Sequence, residues 1–234
     1  MRKTIIAILL AFVAGFVGAA TYMVSGLAGG QIEGYLLANP DLLPRMASAW
    51  ERQQAEDRLA AAGGEVRQPF AGAVLGNPNG SRTLVKFTDY NCGYCRASAA
   101  EVAKMIARDP ELKVVVREWP IFQGSQRAAS WALAAGQQGK FQAFYTAMFA
   151  DGDTSEAGLL AAAEKAGLDV ERLRRDAASP AIAVELSRNG QLARELGFTG
   201  TPSWIAGDQI IEGAVPASTL IDALDADSGD RAGA

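Results

Sequence analysis

Histidine is absent from this 234-residue sequence, and cysteine occurs only twice, at Cys92 and Cys95. A structural zinc ion takes four ligands, ordinarily Cys or His, so two cysteines all but exclude a zinc site within one chain. No other metal or cofactor is expected. The sequence also lacks a basic stripe and a Gly-rich phosphate loop, which removes the usual signs of nucleic-acid or nucleotide binding. Asn77-Pro78-Asn79-Gly80 is a turn signal, not a phosphate cradle. Net charge is only −4, with both signs interspersed. Internal repeats and low-complexity segments are absent too.

Apolar residues make up 49 % of the chain and charged ones 21 %. That balance suits one globular domain of moderate size with appendages. The two cysteines stand three apart in Phe87-Thr88-Asp89-Tyr90-Asn91-Cys92-Gly93-Tyr94-Cys95-Arg96, between an apolar run and a small-residue helical pattern. A cysteine opening a helix meets unpaired N–H groups and the positive end of the dipole, which favour a thiolate. A second cysteine one turn along is placed to resolve a mixed disulfide. A purely structural disulfide and an inert core pair remain as competing readings. Cys-x-x-Cys at a strand–helix junction favours redox use.

Arg2 and Lys3 precede an apolar run from Ile5 to about Leu27, with no further charge until Glu33. A spanning helix needs about 20 apolar residues and a cleavable leader's core about 7–15. Residues 1–28 therefore read as a membrane anchor or a signal peptide, with small residues around Gly18 and Gly26 leaving cleavage open. Either outcome exports the remainder to an oxidising compartment. Residues 31–64 are helical and amphipathic, with Ile32, Tyr35, Leu36, Leu43, Met46 and Trp50 apolar and a charged stretch after them. They form either a helix packed on its own domain or an oligomerisation stalk. Gly63-Gly64 to Pro69 reads as a linker.

Strands are expected over 71–76 and 83–88, a helix over 92–108 and a strand over 113–119, giving a right-handed parallel crossover. Residues 125–196 are helical throughout and read as an insertion. A hairpin over 203–211 follows, then a helix over 216–224 and a disordered-looking tail over 227–234. Pro202 stands at the hairpin entrance, where its missing N–H is tolerated. A cis Thr201–Pro202 bond is one outcome there. It would turn the Thr201 backbone toward the cysteines to pair with a substrate peptide as an extra strand.

The segments 87–95, 118–125 (Glu-Trp-Pro-Ile-Phe-Gln-Gly-Ser) and 198–204 (Phe-Thr-Gly-Thr-Pro-Ser-Trp) resemble the DsbA-like thioredoxin-fold family of exported thiol-disulfide oxidoreductases. The resemblance covers about 70–226. It implies an α/β thioredoxin fold with a helical insertion, with Cys92 the exposed nucleophile, Cys95 the buried resolving thiol and Pro202 the cis proline facing them. Gly93, Tyr94, Thr201 and Pro202 are the candidate substrate contacts. Unfolded or partly folded exported proteins would be the clients, and a separate redox protein would recycle the thiols.

Two departures bear on the direction of the chemistry. Strong oxidants of the family carry Pro-His between the cysteines, whereas Gly93-Tyr94 supplies no cation. A weaker oxidant is expected, closer to the oligomeric disulfide isomerases of the DsbC kind. Lys86 occupies a position where thioredoxin-like proteins often carry a buried acid. It pairs with Glu118 on the neighbouring strand, or it snorkels out of the sheet. Lys86, Glu118 and Asp89 are the candidates for modulating charge or proton transfer. Three functions are carried forward from the sequence. They are an exported oxidase, an oligomeric isomerase or reductase, and a non-catalytic chaperone-like binding module.

Overall fold

The computed structural model describes residues 2–24 and 27–232. Met1, Ser25, Gly26, Gly233 and Ala234, which fall in the expected leader and tail, lie outside the described residues. The chain divides into two compact units, residues 1–51 and 52–234.

The first unit is helical. Helix α1 (Arg2–Val24) contains the window Thr4–Tyr22, whose mean hydropathy of 2.3 and length of 19 residues are enough to cross a membrane. Helix α2 (Leu27–Ala38) ends at a turn in which Asn39 donates back to the Tyr35 carbonyl at 2.8 Å. Helix α3 (Leu42–Ala62) begins in this unit and ends in the next. Ile32, Tyr35, Leu37, Leu43, Met46 and Trp50 are all exposed.

The second unit is built on a five-stranded sheet of order β1-β3-β2-β4-β5, comprising β1 (Val74–Gly76), β2 (Arg82–Thr88), β3 (Leu112–Glu118), β4 (Ser203–Ala206) and β5 (Gln209–Glu212). Strands β2 and β3 pair in parallel, with Lys86 opposite Val116 and Thr88 opposite Glu118. The other neighbours are antiparallel. The parallel pair is joined by α4 (Gly93–Arg108), the expected crossover. Both central strands are covered on both faces, so they read as nearly continuous apolar runs.

Period two in a strand sends successive side chains to opposite faces. Leu84, Val114, Val116 and Trp204 enter the larger cluster, with α4, α5 (Ser125–Gln137), α6 (Phe141–Asp151), α7 (Glu156–Lys165) and α8 (Val170–Ala177). Val85, Phe87, Val115 and Ile205 enter the smaller one. The insertion over 125–196 serves both faces of the sheet. Helix α9 (Pro180–Glu195) contributes Ile182 and Leu186 to the larger cluster but Leu192 and Ala193 to the smaller. The last helix, α10, runs over Ala217–Ala232, so the backbone stays helical through most of the tail read as disordered.

The linker expected over 63–69 is instead part of the domain. Leu59 and Ala62 of α3 and Val66 are buried in the smaller cluster. Gly63 reverses the chain after α3 at φ 66°, a left-handed conformation that glycine adopts without strain. Residues Gly64–Arg67 then form a 3₁₀ turn. Arg117 holds this turn. Its guanidinium donates to the carbonyls of Glu65 (2.6 Å), Val66 (3.3 Å) and Gln68 (2.7 Å), and to Glu185 (2.7 Å) and Asn189 (3.1 Å) on α9. Arg117 and Glu185 are both nearly free of solvent. Five acceptors satisfy the five N–H donors of a guanidinium, which makes burial of the charge tolerable.

Arg117→Met leaves Glu185 without its ion-pair partner in the interior and takes the guanidinium donors from the Val66 and Gln68 carbonyls. The substitution is expected to cost about 3–5 kcal/mol, whereas Lys104→Met, which breaks an exposed pair with Glu101, should cost less than about 1 kcal/mol. Urea denaturation of the two variants beside the parent checks the contrast.

Candidate active site

The end of β2 runs through Thr88 and Asp89 into a turn that delivers Cys92 to the start of α4. Cys92 has extended backbone angles and is the N-cap residue; its carbonyl accepts from Arg96 N at 3.1 Å. The turn is set by Asp89, whose Oδ1 accepts from Asn91 N at 2.7 Å, an Asx-type turn. The other oxygen, Oδ2, accepts from the Ile121 and Phe122 backbone N–H groups (2.7 and 2.9 Å) and from Ser125 Oγ (2.7 Å). Asn91 extends the clamp, donating to Gln123 O at 2.9 Å and accepting from Thr154 Oγ1 at 2.7 Å. Three loops thus converge on the residues before Cys92. Within them Ile121 and Phe122 remain exposed, as does Tyr94 at 71 %. A Cβ on Gly93 would meet nothing within 4 Å, so no lack of space dictates glycine between the thiols.

Facing Cys92 is the loop before β4. The Thr201–Pro202 peptide bond is cis, and Cys92 Sγ donates to the Thr201 carbonyl at 3.2 Å. Glu212 on β5 accepts from both Thr199 N and Oγ1 (2.9 and 2.8 Å), and Gly213 N donates to Pro202 O at 2.8 Å. The loop is therefore tied to the hairpin that follows it. Both cysteines are free thiols. Cys95 is fully buried and Cys92 only 4 % exposed, so the exposed nucleophile implied by resemblance is corrected. In this dithiol form the Thr201 carbonyl and the surrounding core cover most of Cys92.

Beneath the thiols the strand alternation puts Lys86 and Glu118 on the same face as Cys95 and sends Arg117 to the other. Lys86 is fully buried, which excludes snorkelling. Nor is it hydrogen-bonded to Glu118. Its Nζ donates to Tyr145 Oη at 2.8 Å and to the Cys95 carbonyl at 3.4 Å. The rings of Trp204, Tyr145 and Phe149 lie 5.1, 5.6 and 5.6 Å from it, within the range of cation–π attraction. Glu118 Oε1 accepts instead from Tyr90 Oη at 2.9 Å, and Oε2 has no hydrogen-bond partner among the described residues. The expected Lys86–Glu118 pair is thus split by two tyrosines that each take one member.

These environments displace the titrations. Burial lowers Lys86 to about 8, with the nearby Cys95, Glu118 and Cys92 pulling it back up. Cys95 is pushed up to about 11 by burial, opposed by the Thr88 hydroxyl, the Asp89 backbone N–H, the Lys86 charge and the Thr201 hydroxyl. Those two hydroxyls have no nitrogen or oxygen partner among the described residues. Their position against the sulfur therefore matters to the thiol. Burial also holds Glu118 well above the usual carboxylate value, with Tyr90 donating to the ionised form and opposing it.

Sequence pattern brought Cys92, Cys95, Thr201 and Pro202 to one place, and the fold assembles them there. Asp89, offered as a charge modulator, is the loop clamp. The pattern missed Tyr145, Tyr90, Asn91 and Thr154. An Asx turn at 89–91 was legible in principle, but no local signal ties Tyr145 to a lysine 59 residues earlier.

The profile of the DSBA-like thioredoxin domain family matches residues 83–225. A thioredoxin-like oxidoreductase from Silicibacter pomeroyi DSS-3 is 46 % identical, covering 65 % of this chain and 90 % of that one, with a TM-score of 0.62. The thiol-disulfide exchange protein alpha-DsbA2 from Wolbachia pipientis is 26 % identical over 75 % of this chain and 96 % of that one, with a TM-score of 0.68. Among curated proteins, the Na(+)/H(+) antiporter NhaA of Herminiimonas arsenicoxydans is 29 % identical over 155 residues, 65 % of this chain. The chain spans between 19 % and 26 % of the length of the curated relatives it matches, 25 % for that antiporter.

Glu118 supplies a pH signature. A carboxyl whose folded pKa lies above its unfolded value keeps its proton longer in the folded chain. Its contribution to stability is complete below its ordinary value of 4.5 and is lost as pH rises through the folded one. Glu118→Gln keeps an acceptor for Tyr90 without that loss. Urea midpoints of parent and variant should coincide near pH 4 and separate in the variant's favour at neutral pH, where equal midpoints would contradict the burial argument.

Proposed function

The chain belongs to the DSBA-like thioredoxin domain family, and on that premise we propose that it exchanges disulfides in exported proteins through Cys92 and Cys95. The observation that carries this reading is the Cys92 sulfur 3.2 Å from the Thr201 carbonyl at a cis proline. That carbonyl is a backbone acceptor beside the reactive sulfur, suited to an extended client pairing as an added strand.

In the oxidised form a client thiolate attacks Cys92, the Cys92–Cys95 bond breaks, and Cys95 leaves with the electron pair. The client's second thiolate then attacks its own sulfur in the mixed disulfide and releases Cys92 as thiolate. The client is oxidised by two electrons and the enzyme reduced by two. In reverse, a Cys92 thiolate opens a client disulfide and Cys95 resolves the adduct. The exposed side chains of Ile121 and Phe122, whose backbone is held by the Asp89 carboxylate, and of Tyr94 between the cysteines suit clients with exposed apolar residues. The N-terminal helix, long and apolar enough to span, supports work outside the cytoplasm with the domain anchored or released. Recycling falls to a separate redox protein.

Direction is the finer question. The absence of a cation between the thiols, with the exposed apolar side chains of 31–64 offering a seam to a second copy, favours an oligomeric isomerase or reductase over a strong oxidant. Equilibration with glutathione should place the couple nearer about −180 to −230 mV than about −120 mV, and light scattering should lose the oligomer when 31–51, the part of that segment outside the second unit, is deleted. Cys95→Ser should accumulate client mixed disulfides and Cys92→Ser none. Unaltered client protection by Cys92→Ser, without any thiol exchange in the parent, would instead mark a binding module.

Lys86 is assigned to the resolving step. A proton leaving Cys95 creates a thiolate beside the lysine ammonium, and the attraction offsets part of the burial penalty on that charge. With its own value lowered to about 8, Lys86 is also partly neutral in mildly alkaline solution and can accept the proton. Lys86→Met should prolong the mixed disulfide, by roughly tenfold for each unit by which the Cys95 thiol rises. The pH–rate profile of resolution should move upward while capture at Cys92 is retained; an unmoved profile would remove Lys86 from the step.

A further inference from the structure

A cavity of about 350 Å³ lies between α4, α6 and β1, beside the site described above and sharing Tyr145 and Phe149 with it. Its volume falls within the range of small-molecule sites, about 300–1,000 Å³. It exists because α4 turns Ala99 and Ala103 toward the large rings of Tyr145 and Phe149 on α6, leaving space that longer side chains would fill. Ile106 and Val102 add to a lining that is mostly apolar.

The polar groups on the wall are few and favour an anion. Arg96 is the only charged residue of the lining. It donates to Gly152 O at 3.3 Å, and no carboxylate pairs with it among the described residues. Gln142 spends its carbonyl oxygen on Gly76 N at 3.0 Å, so what it offers a ligand is its amide donor. An apolar body with one acidic group matches that wall in shape and in charge.

The cavity is linked to the thiols through its aromatic wall. Tyr145 lines it with its ring, while its hydroxyl accepts from Lys86 Nζ at 2.8 Å. Lys86 in turn touches the Cys95 carbonyl. Phe149, the second aromatic wall, is one of the rings around the same ammonium.

We propose that this cavity binds an amphipathic organic carboxylate, its alkyl or aryl body against Tyr145 and Phe149 and its carboxylate on Arg96, and that occupancy shifts the dithiol–disulfide balance of Cys92 and Cys95. The first half stands on the cavity alone, whereas the second rests on the thiol-exchange reading. Because coupling between two sites is reciprocal, the ligand also binds one redox form more tightly than the other.

The probes are 4-phenylbutyrate and its neutral analogue 4-phenylbutanol, titrated calorimetrically into the full chain in nanodiscs, with empty nanodiscs to subtract partitioning. Saturable binding at one site is expected, with the carboxylate favoured. Arg96→Gln should weaken the acid by roughly tenfold, the worth of one charge-assisted hydrogen bond, and leave the alcohol unchanged. Ala103→Trp, on the exposed side of α4, fills the space and should abolish binding of both probes with ligand-free thiol exchange intact. Glutathione equilibration with saturating 4-phenylbutyrate should shift about fivefold in the parent and not at all in Ala103→Trp. No saturable binding, or binding indifferent to Ala103→Trp, overturns the site. Binding without any shift overturns the coupling, and absence of thiol exchange in the ligand-free parent overturns the reading beneath it.

Discussion

A lysine ammonium held under the thiols, out of reach of water and with no carboxylate bonded to it, is the constraint on which this site depends. Burying a charge is costly unless other groups replace its hydration. Around Lys86 that replacement is assembled from a tyrosine hydroxyl, the Cys95 carbonyl and three aromatic faces. Most of these come from α6, so the helical insertion is a wall of the redox centre as well as a cover for the sheet. The lysine's lowered value and the raised value of Cys95 express the same burial, each partly relieved by the other's charge.

Two adjacent residues on β3 show how strongly the sheet separates functions. Arg117 and Glu118 point to opposite faces. On one, a guanidinium satisfied by five acceptors fastens the 3₁₀ turn and α9. On the other, a carboxyl with a single donor is left under the thiols. The contrast is in satisfaction, not in burial, since both groups are inside. A fully satisfied network is structural, whereas an incompletely satisfied one is held near a change of protonation. A one-residue slip of β3 would exchange the two environments.

Much of this was legible from the chain. The strand read over 83–88 is Arg82–Thr88, and the helix read over 92–108 is Gly93–Arg108 with Cys92 as its cap. Long apolar or periodic segments carry their own signal because their burial repeats every two or every 3.6 residues. The misreadings cluster where that signal is silent. Gly63-Gly64 and Pro69 look like a linker because turn residues are the same in a free linker and in a docked turn. What distinguishes them is Arg117, about fifty residues later. Lys86 reads as a partner of Glu118 or as a snorkelling lysine because nothing within a strand's length announces the hydroxyl that receives it.

By itself the sequence determined that the protein carries a vicinal thiol pair at a strand–helix junction, a proline-led hairpin, and an apolar N-terminal helix. These are local features, set by spacing, backbone restriction and hydropathy over a few residues. Tertiary structure alone decided that Cys92 is covered by the Thr201 carbonyl, that Lys86 and Glu118 are parted by Tyr145 and Tyr90, and that Asp89 fastens loops. Those relations join residues tens of positions apart, and their partners are selected by which side chains packing brings within about 3 Å in a water-free interior. Within that interior a buried polar group must find a partner or change its protonation. That requirement, more than the Cys-x-x-Cys spacing, shapes the chemistry open to the two thiols.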